Sequence, residues 1–292
     1  GYMAAGKLGF VKAGVGGHFG SSGIWLPKGI LARRHRGKTR LRRFPPRFRL
    51  GLSEFRGELP LRNKGCTAMR AITSLHLLEK LGKARLSRHF FARDFLYSEI
   101  GNFHAMQNLP EDTDLFLKAG RALCLNLLDP LVETFGPIAV RSAYRSPSVN
   151  HFGNAHDLKC ARNEANYAGH IWDKRDGAGR MGACTSVVIP WFADQYTQGR
   201  DWRDLAWWVH DHLPYSEMWF FPTNAAFNLT WRQDPARMIS SYIAPKGKLL
   251  REGASPAEPP EARRKRYADF PPLRGIVYPP IPSNWASPES DS

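Results

Sequence analysis

Residues 112–136, DTDLFLKAGRALCLNLLDPLVETFG, place apolar side chains at helical spacing, and the next four residues, PIAV, change to a strand-like run. Asp112 and Asp114 open the helix, Leu115, Leu117, Ala122, Leu125, Leu128 and Leu131 line one face, and Gly136 closes it. Pro130 falls inside the pattern and predicts a kink or a split, because proline lacks an N–H and its ring clashes with the preceding turn. A long amphipathic helix handed directly to a short buried strand points to an α+β core.

Other segments extend this pattern. TAMRAITSLHLLEKLGKA (67–84) and DWRDLAWWVHDHL (201–213) have helical spacing, while GACTSVVIPWF (182–192), SEMWFF (216–221) and AAFNLTW (225–231) read as strands. The two ends read differently. The net charge of +16 is concentrated: residues 1–50 hold twelve Lys and Arg and no acid, leaving +4 for the other 242 residues. Residues 1–65 are therefore expected to form a basic, Gly/Arg-rich, disordered tail. Its run ARRHRGKTRLRRFPPRFR (32–49) is the only part suited to nucleic acid, through phosphate contacts. Residues 246–292 are Pro-rich, and the expectation is an extended wrap or a disordered tail. That leaves one domain over 66–245.

No window is apolar and long enough to span a bilayer, and no secretory signal is visible at the start of the sequence. Cys66, Cys124, Cys160 and Cys184 are scattered without a C-x-x-C pair, so they read as reduced thiols, mostly in the core.

Three stretches carry candidate chemistry. RSAYRSPSVN (141–150) leaves the end of a strand as a dense polar corner. Such loops present binding groups, and Arg145 suits a bidentate grip on a carboxylate. The same residues also suit a self-satisfied turn built on Pro147. NEANYAGHIWDKRD (163–176) brings His170, Asp173 and Asp176 within seven positions, a donor set of the kind zinc takes. In SEMWFF, Glu217 lies among aromatic residues, where an unpaired carboxylate is costly and suited to general-base work. It serves equally as an edge-strand residue facing water.

In this order, the pieces resemble the zinc D-Ala-D-Ala carboxypeptidase and dipeptidase family, which shares its fold with the hedgehog signalling domain. HFFARDFLYSEIGNFHAMQNLPED (89–112) is similar to the family's entry segment. The helix at 112–136 followed by PIAV and SAYRSPSVN resembles its helix–strand–S-x-Y-R-S-x-x-x-N unit, and SEMWFF its closing Glu-x-Trp-His strand. The likeness covers roughly residues 85–235. It implies a small mixed or antiparallel sheet packed with helices, of hedgehog/DD-peptidase type. It also implies a zinc-dependent hydrolase of bacterial cell-wall (peptidoglycan) peptides, located in the periplasm or cell envelope. By the same resemblance, Arg145 is catalytic beside a Glu217 general base, and His170 is the first zinc ligand; Asp173 and Asp176 are the further donors that the neighbouring residues offer. Ser142, Tyr144, Asn150 and Trp219 would line the substrate cleft.

The sequence departs from the family at two ligand positions. Gly177 stands seven residues after His170, with Asp176 one residue short; if the family's Gly-x-Ala-x-Asp run is displaced to GACTS (182–186), no Asp follows. Phe220 stands where the family has its second zinc-binding His. Two expectations stay open. A rewired site would draw on Asp173 or Asp176 with His151, His156, His210 or His212. Alternatively, the domain is a metal-free, catalytically inactive binding module that kept the cleft and recognises cell-wall peptide or another ligand.

Overall fold

The computed structural model describes residues 74–280. The helices are α1 (Leu75–Lys83), α2 (Glu99–Phe103), α3 (Thr113–Leu123), α4 (Asp129–Phe135), α5 (Pro147–Ala155), α6 (Asn163–Asn166), α7 (Pro190–Thr197), α8 (Trp202–His212) and α9 (Pro260–Arg266). Interspersed with them are β1 (Ala139–Ser142), β2 (Gly182–Val188), β3 (Glu217–Phe220), β4 (Phe227–Arg232), β5 (Met238–Ser241) and β6 (Gly247–Leu250). The fold is α+β. The expectations for the basic tail, including its nucleic-acid contacts, and for residues 66–73 and 281–292 lie outside the described residues.

The strands form one mixed sheet in the order β1-β2-β4-β3-β5-β6, with every neighbouring pair antiparallel except the parallel pair β3–β5. Side chains alternate between the two faces of a strand, and here the faces differ sharply. One face presents Ala183, Val187, Phe227, Leu229, Met218, Phe220 and Ile239 to the core built with α3, α4 and α8. Aromatic contacts tie the layers: Phe220 stacks on Phe227 at 4.8 Å between centroids and meets Trp202 of α8 at 5.0 Å. The other face presents Cys184, Asn228, Thr230, Arg232, Glu217, Trp219, Met238, Ser240 and Lys248, and among the described residues no helix layer fills it.

The expected split at Pro130 takes a definite form. Between α3 and α4 the chain makes a π turn, Cys124–Leu128, in which the Asp129 N–H donates to the Cys124 carbonyl, five residues back. Pro130 then lies at the first turn of α4, where a missing N–H costs nothing. The wider turn relieves the ring's clash without ending the helical path, so Leu127, Leu128 and Leu131 all stay fully buried. Gly136 ends α4 at φ +83°, a conformation that strains any residue bearing a Cβ.

The strand expected over 137–140 is displaced by two residues, to Ala139–Ser142, and its side chains alternate between exposed and half-buried. It is an edge strand, paired only with β2, so neither face is fully covered. The polar corner after it is the start of α5: the Ser146 Oγ accepts from the Val149 N–H at 3.3 Å, and Pro147 takes the first helical position.

The Pro-rich segment after 245 departs from the expected wrap or disordered tail, because it adds β6 to the sheet and α9 to α8. Pro259 and Pro260 sit at the start of α9, where proline is pre-shaped for a helix. Tyr267 and Phe270 join the core, the Phe270 ring meeting Trp191 at 5.1 Å. Charge anchors the rest. Arg263 forks onto Asp211, Arg266 reaches Asp201 and Asp204, and Arg200 bridges Asp204 and Asp269. Among the described residues no helix is long and apolar enough to cross a membrane.

Candidate functional site

The open face of the sheet holds a pocket of about 220 Å³. Its floor comes from β2, β4, β3 and β5, and one wall from the loop that follows α6, through Gly169 and His170. That loop is pinned on two sides. The Cys184 N–H donates to the Gly169 carbonyl at 2.9 Å, and the Arg145 N–H to the His170 carbonyl at 2.8 Å. Gly182 allows this approach, since a Cβ there would lie 2.4 Å from the Ala168 carbonyl oxygen.

The imidazole of His170 is oriented by its main-chain partner. Nδ1 lies 2.8 Å from the Ala143 carbonyl, which can only accept, so Nδ1 carries the hydrogen and Nε2 keeps its lone pair. Nε2 faces the Cys184 sulfur at 3.7 Å. Burial, reinforced by the Arg145 charge, pushes the His170 pKa down to about 3, against the Ala143 bond. Burial pushes the Cys184 thiol up to about 11, with Glu217 adding to the rise and Thr230, Arg145 and Arg232 opposing it. The resting pair is neutral imidazole and neutral thiol. Glu217 enters the same pocket half-exposed, with Arg232 Nε 3.4 Å from its Oε1. It is therefore a paired carboxylate, not the isolated one considered from the sequence.

Of the residues singled out from sequence, His170, Glu217 and Trp219 line this pocket. Arg145 borders it: its charge acts on His170 and Cys184, while its Nη1 donates to the Cys160 sulfur at 3.3 Å. The other expected cleft residues lie elsewhere. Tyr144 is fully buried against Phe116, 5.0 Å between centroids. Asn150 is fully buried too, donating to the Ala161 carbonyl and to Asn163 Oδ1 and accepting from Asn166. Ser142 ends β1, its carbonyl accepting from Thr185 Oγ1 at 3.2 Å. These three hold the corner in place and have no wall on the pocket.

The expected metal set does not assemble. Asp173 Oδ2 accepts from the Glu111 N–H at 2.8 Å and the Asp112 N–H at 3.4 Å, tying the loop to the start of α3. Burial raises its pKa against those bonds. Asp176 shapes a turn, accepting from the N–H groups of Ala178 and Arg180, both at 2.9 Å, and from the Arg180 guanidinium. The bond from the Arg180 N–H and the others hold its carboxyl below the ordinary range. Phe220 points into the core, on the face opposite Glu217. The alternative histidines are engaged as well: His156 Nδ1 with the Phe152 carbonyl, His210 with the Tyr215 hydroxyl and His212 with the Trp208 carbonyl; neither they nor His151 line the pocket. A catalytic zinc takes three protein ligands. Among the described residues no three His, Cys, Asp or Glu side chains gather to hold a metal ion, so they do not fit the zinc that the resemblance implies.

Sequence reasoning missed Cys184, Asn228, Thr230, Arg232, Ser240 and Lys248 as pocket residues. For β4 the signal was present, since Asn228 and Thr230 alternate with Phe227 and Leu229. Cys184 carried no such mark, because its role depends on a histidine fourteen residues away in the chain. No protein-family model, curated protein or solved structure matches this chain.

Proposed function

We propose that this is a metal-free ligand-binding domain of hedgehog/DD-peptidase type, whose pocket recognises a small cell-wall peptide in the bacterial envelope. One observation carries the reading. His170, Glu217 and Trp219, three of the residues that the resemblance assigns to the site, share one pocket, while Asp173, Asp176 and Phe220 are turned to structural work. Among the described residues the zinc hydrolase that the resemblance also implies lacks its donor set, and no hydrolytic step through a metal is derived.

The pocket's chemistry suits a peptide end. Arg232 and Lys248 offer positive charge to a carboxylate, Glu217 offers a carboxylate to an amine, and Asn228, Thr230 and Ser240 supply neutral hydrogen-bonding groups. Trp219, 39% exposed, gives an apolar wall beside them.

Metal analysis of purified protein, together with calorimetric titration of a stem peptide ending in D-Ala-D-Ala, tests this. The expected result is under about a tenth of an equivalent of zinc, and peptide binding weakened roughly tenfold or more by Arg232→Ala, which removes a charged hydrogen-bonding partner. One equivalent of zinc, with peptide cleavage that Glu217→Gln abolishes, would establish the hydrolase instead.

A further inference from the structure

The pocket's floor contains a nucleophile beside a base, a pairing that peptide binding alone does not require. We propose that Cys184 and His170 act as a thiol–imidazole pair that accepts an acyl group from an amide or ester bound in the pocket, giving the domain a thiol-dependent acyl-transfer activity. This rests on the reading above only in that the acyl donor is taken to be a peptide.

Three features support it. The reacting atoms are in place, with Cys184 Sγ 3.7 Å from His170 Nε2, within reach of a hydrogen bond to sulfur. The base is held in the useful tautomer, because the Ala143 carbonyl keeps the hydrogen on Nδ1 and leaves Nε2 free to take the thiol proton. A cationic donor stands on the same face: Thr230 is the cross-strand partner of Cys184, and Arg232 lies two residues further along β4. Arg232 lines the pocket, its Nε paired with Glu217 at 3.4 Å without a hydrogen bond and its Nη1 with Asp176 at 3.9 Å, so its guanidinium is a positive charge on the face where an oxyanion would develop. The other described cysteines lack this setting. Cys124 is fully buried in the core, and the Cys160 sulfur is occupied by Arg145 and the Leu158 carbonyl; neither lines the pocket.

The steps balance without an oxidant or a metal. As Cys184 Sγ bonds to the carbonyl carbon, its proton passes to His170 Nε2 and the carbonyl π pair moves onto oxygen, facing Arg232. The oxyanion collapses, the carbon–nitrogen or carbon–oxygen bond breaks, and His170 returns the proton to the departing amine or alcohol. A thioester remains on Cys184. Water, or an amine acting as acceptor, then attacks it; His170 removes that proton and delivers it to the sulfur as the carbon–sulfur bond breaks. Because the resting pair is uncharged, the proton moves as the new bond forms.

The test uses the full chain with p-nitrophenyl acetate as acyl donor, peptide mapping by mass spectrometry and, in parallel, titration with the D-Ala-D-Ala stem peptide. The expected result is an acetyl group on Cys184 in preference to Cys124 and Cys160. His170→Asn keeps a donor for the Ala143 carbonyl and removes the base, and should slow that acylation by about a hundredfold or more. Cys184→Ser should lose the thioester. Acylation at Cys184 that His170→Asn leaves unchanged would overturn the pairing, as would wild-type protein that binds the peptide and never acylates Cys184. Acylation of Cys184 by the ester without peptide binding would keep the pair and remove the peptide reading. Iodoacetamide mapping of the wild-type protein gives a check that needs no variant to fold: Cys184 alkylated no faster than Cys124 also counts against the proposal.

Discussion

The two faces of the sheet are built from the same strands and do opposite work. On β3, Met218 and Phe220 face the core, both almost fully buried, while Glu217 and Trp219 face the pocket, each more than a third exposed. On β4, Phe227 and Leu229 go inward while Asn228 and Thr230 go outward. The core face gains stability from packing at about 25 cal/mol per Å² of apolar surface removed from water. The pocket face cannot, because its polar side chains remain solvated or pair with one another. A strand therefore assigns stability and chemistry to alternate residues, and a motif read along the strand mixes the two. The Glu-Met-Trp-Phe stretch is such a case: its first and third residues reach the pocket, and its fourth is locked into the core.

The largest expected effect comes from the core side. Phe220→Ala should destabilise the domain by about 3–5 kcal/mol in denaturant unfolding, since it leaves a cavity between Trp202 and Phe227. Phe220→His sharpens the comparison. It places a zinc-ligand side chain on the core face, so it should cost stability by burying an imidazole and leave zinc content unchanged. A variant that gained an equivalent of zinc would mean that the faces exchange more freely than the register allows.

His170, at the junction of corner and pocket, gives the next effect. Its pKa is near 6.5 when unfolded and about 3 when folded, so between those values the unfolded chain binds a proton that the native protein does not. Stability from this group is complete above about pH 6.5 and is lost as pH falls toward 3. His170→Asn should flatten that acid limb by an amount on the order of a few kcal/mol, seen in denaturant midpoints across the range. An unchanged limb would show that the imidazole is not held neutral by burial.

Asp173→Ala should cost about 1–3 kcal/mol, because it removes the acceptor of the part-buried N–H groups of Glu111 and Asp112, and metal content should not change. The smallest effect belongs to the pocket face. Trp219→Ala should shift stability by no more than about 0.5 kcal/mol while weakening the stem peptide roughly tenfold. If the two numbers exchange, so that stability falls and binding holds, Trp219 is a packing residue and the contrast between the faces fails.

Much of the architecture was readable before any coordinates. The helices at 113–135 and 202–212 and the strands around 182–188, 217–220 and 227–232 follow local periodicity, which depends only on neighbouring residues. Even the effect of Pro130 follows, because its missing N–H is a local fact. The end of the chain was harder to read. Proline density predicted a loose segment, yet Phe270 finds ring partners in α4 and α7, Tyr267 meets His212 of α8, and Arg263 finds Asp211, more than fifty residues away in the chain. Composition does not report such contacts.

The site divides in the same way. The sequence by itself determined three of the strands, those around 182–188, 217–220 and 227–232, because a pleated chain has a period of two, and did not mark β5 or β6. It also singled out His170, Glu217 and Trp219, which line the pocket, together with Ser142, Tyr144 and Asn150, which do not. Only the tertiary structure decided what they meet. Strand order brings Cys184 beside the His170 loop, loop geometry turns Asp173 and Asp176 away to satisfy backbone N–H groups and a guanidinium, and sheet register fixes Phe220 inward. The physical reason is that periodicity is set over a few bonds, whereas a pocket is set by which distant segments hydrogen-bond to one another.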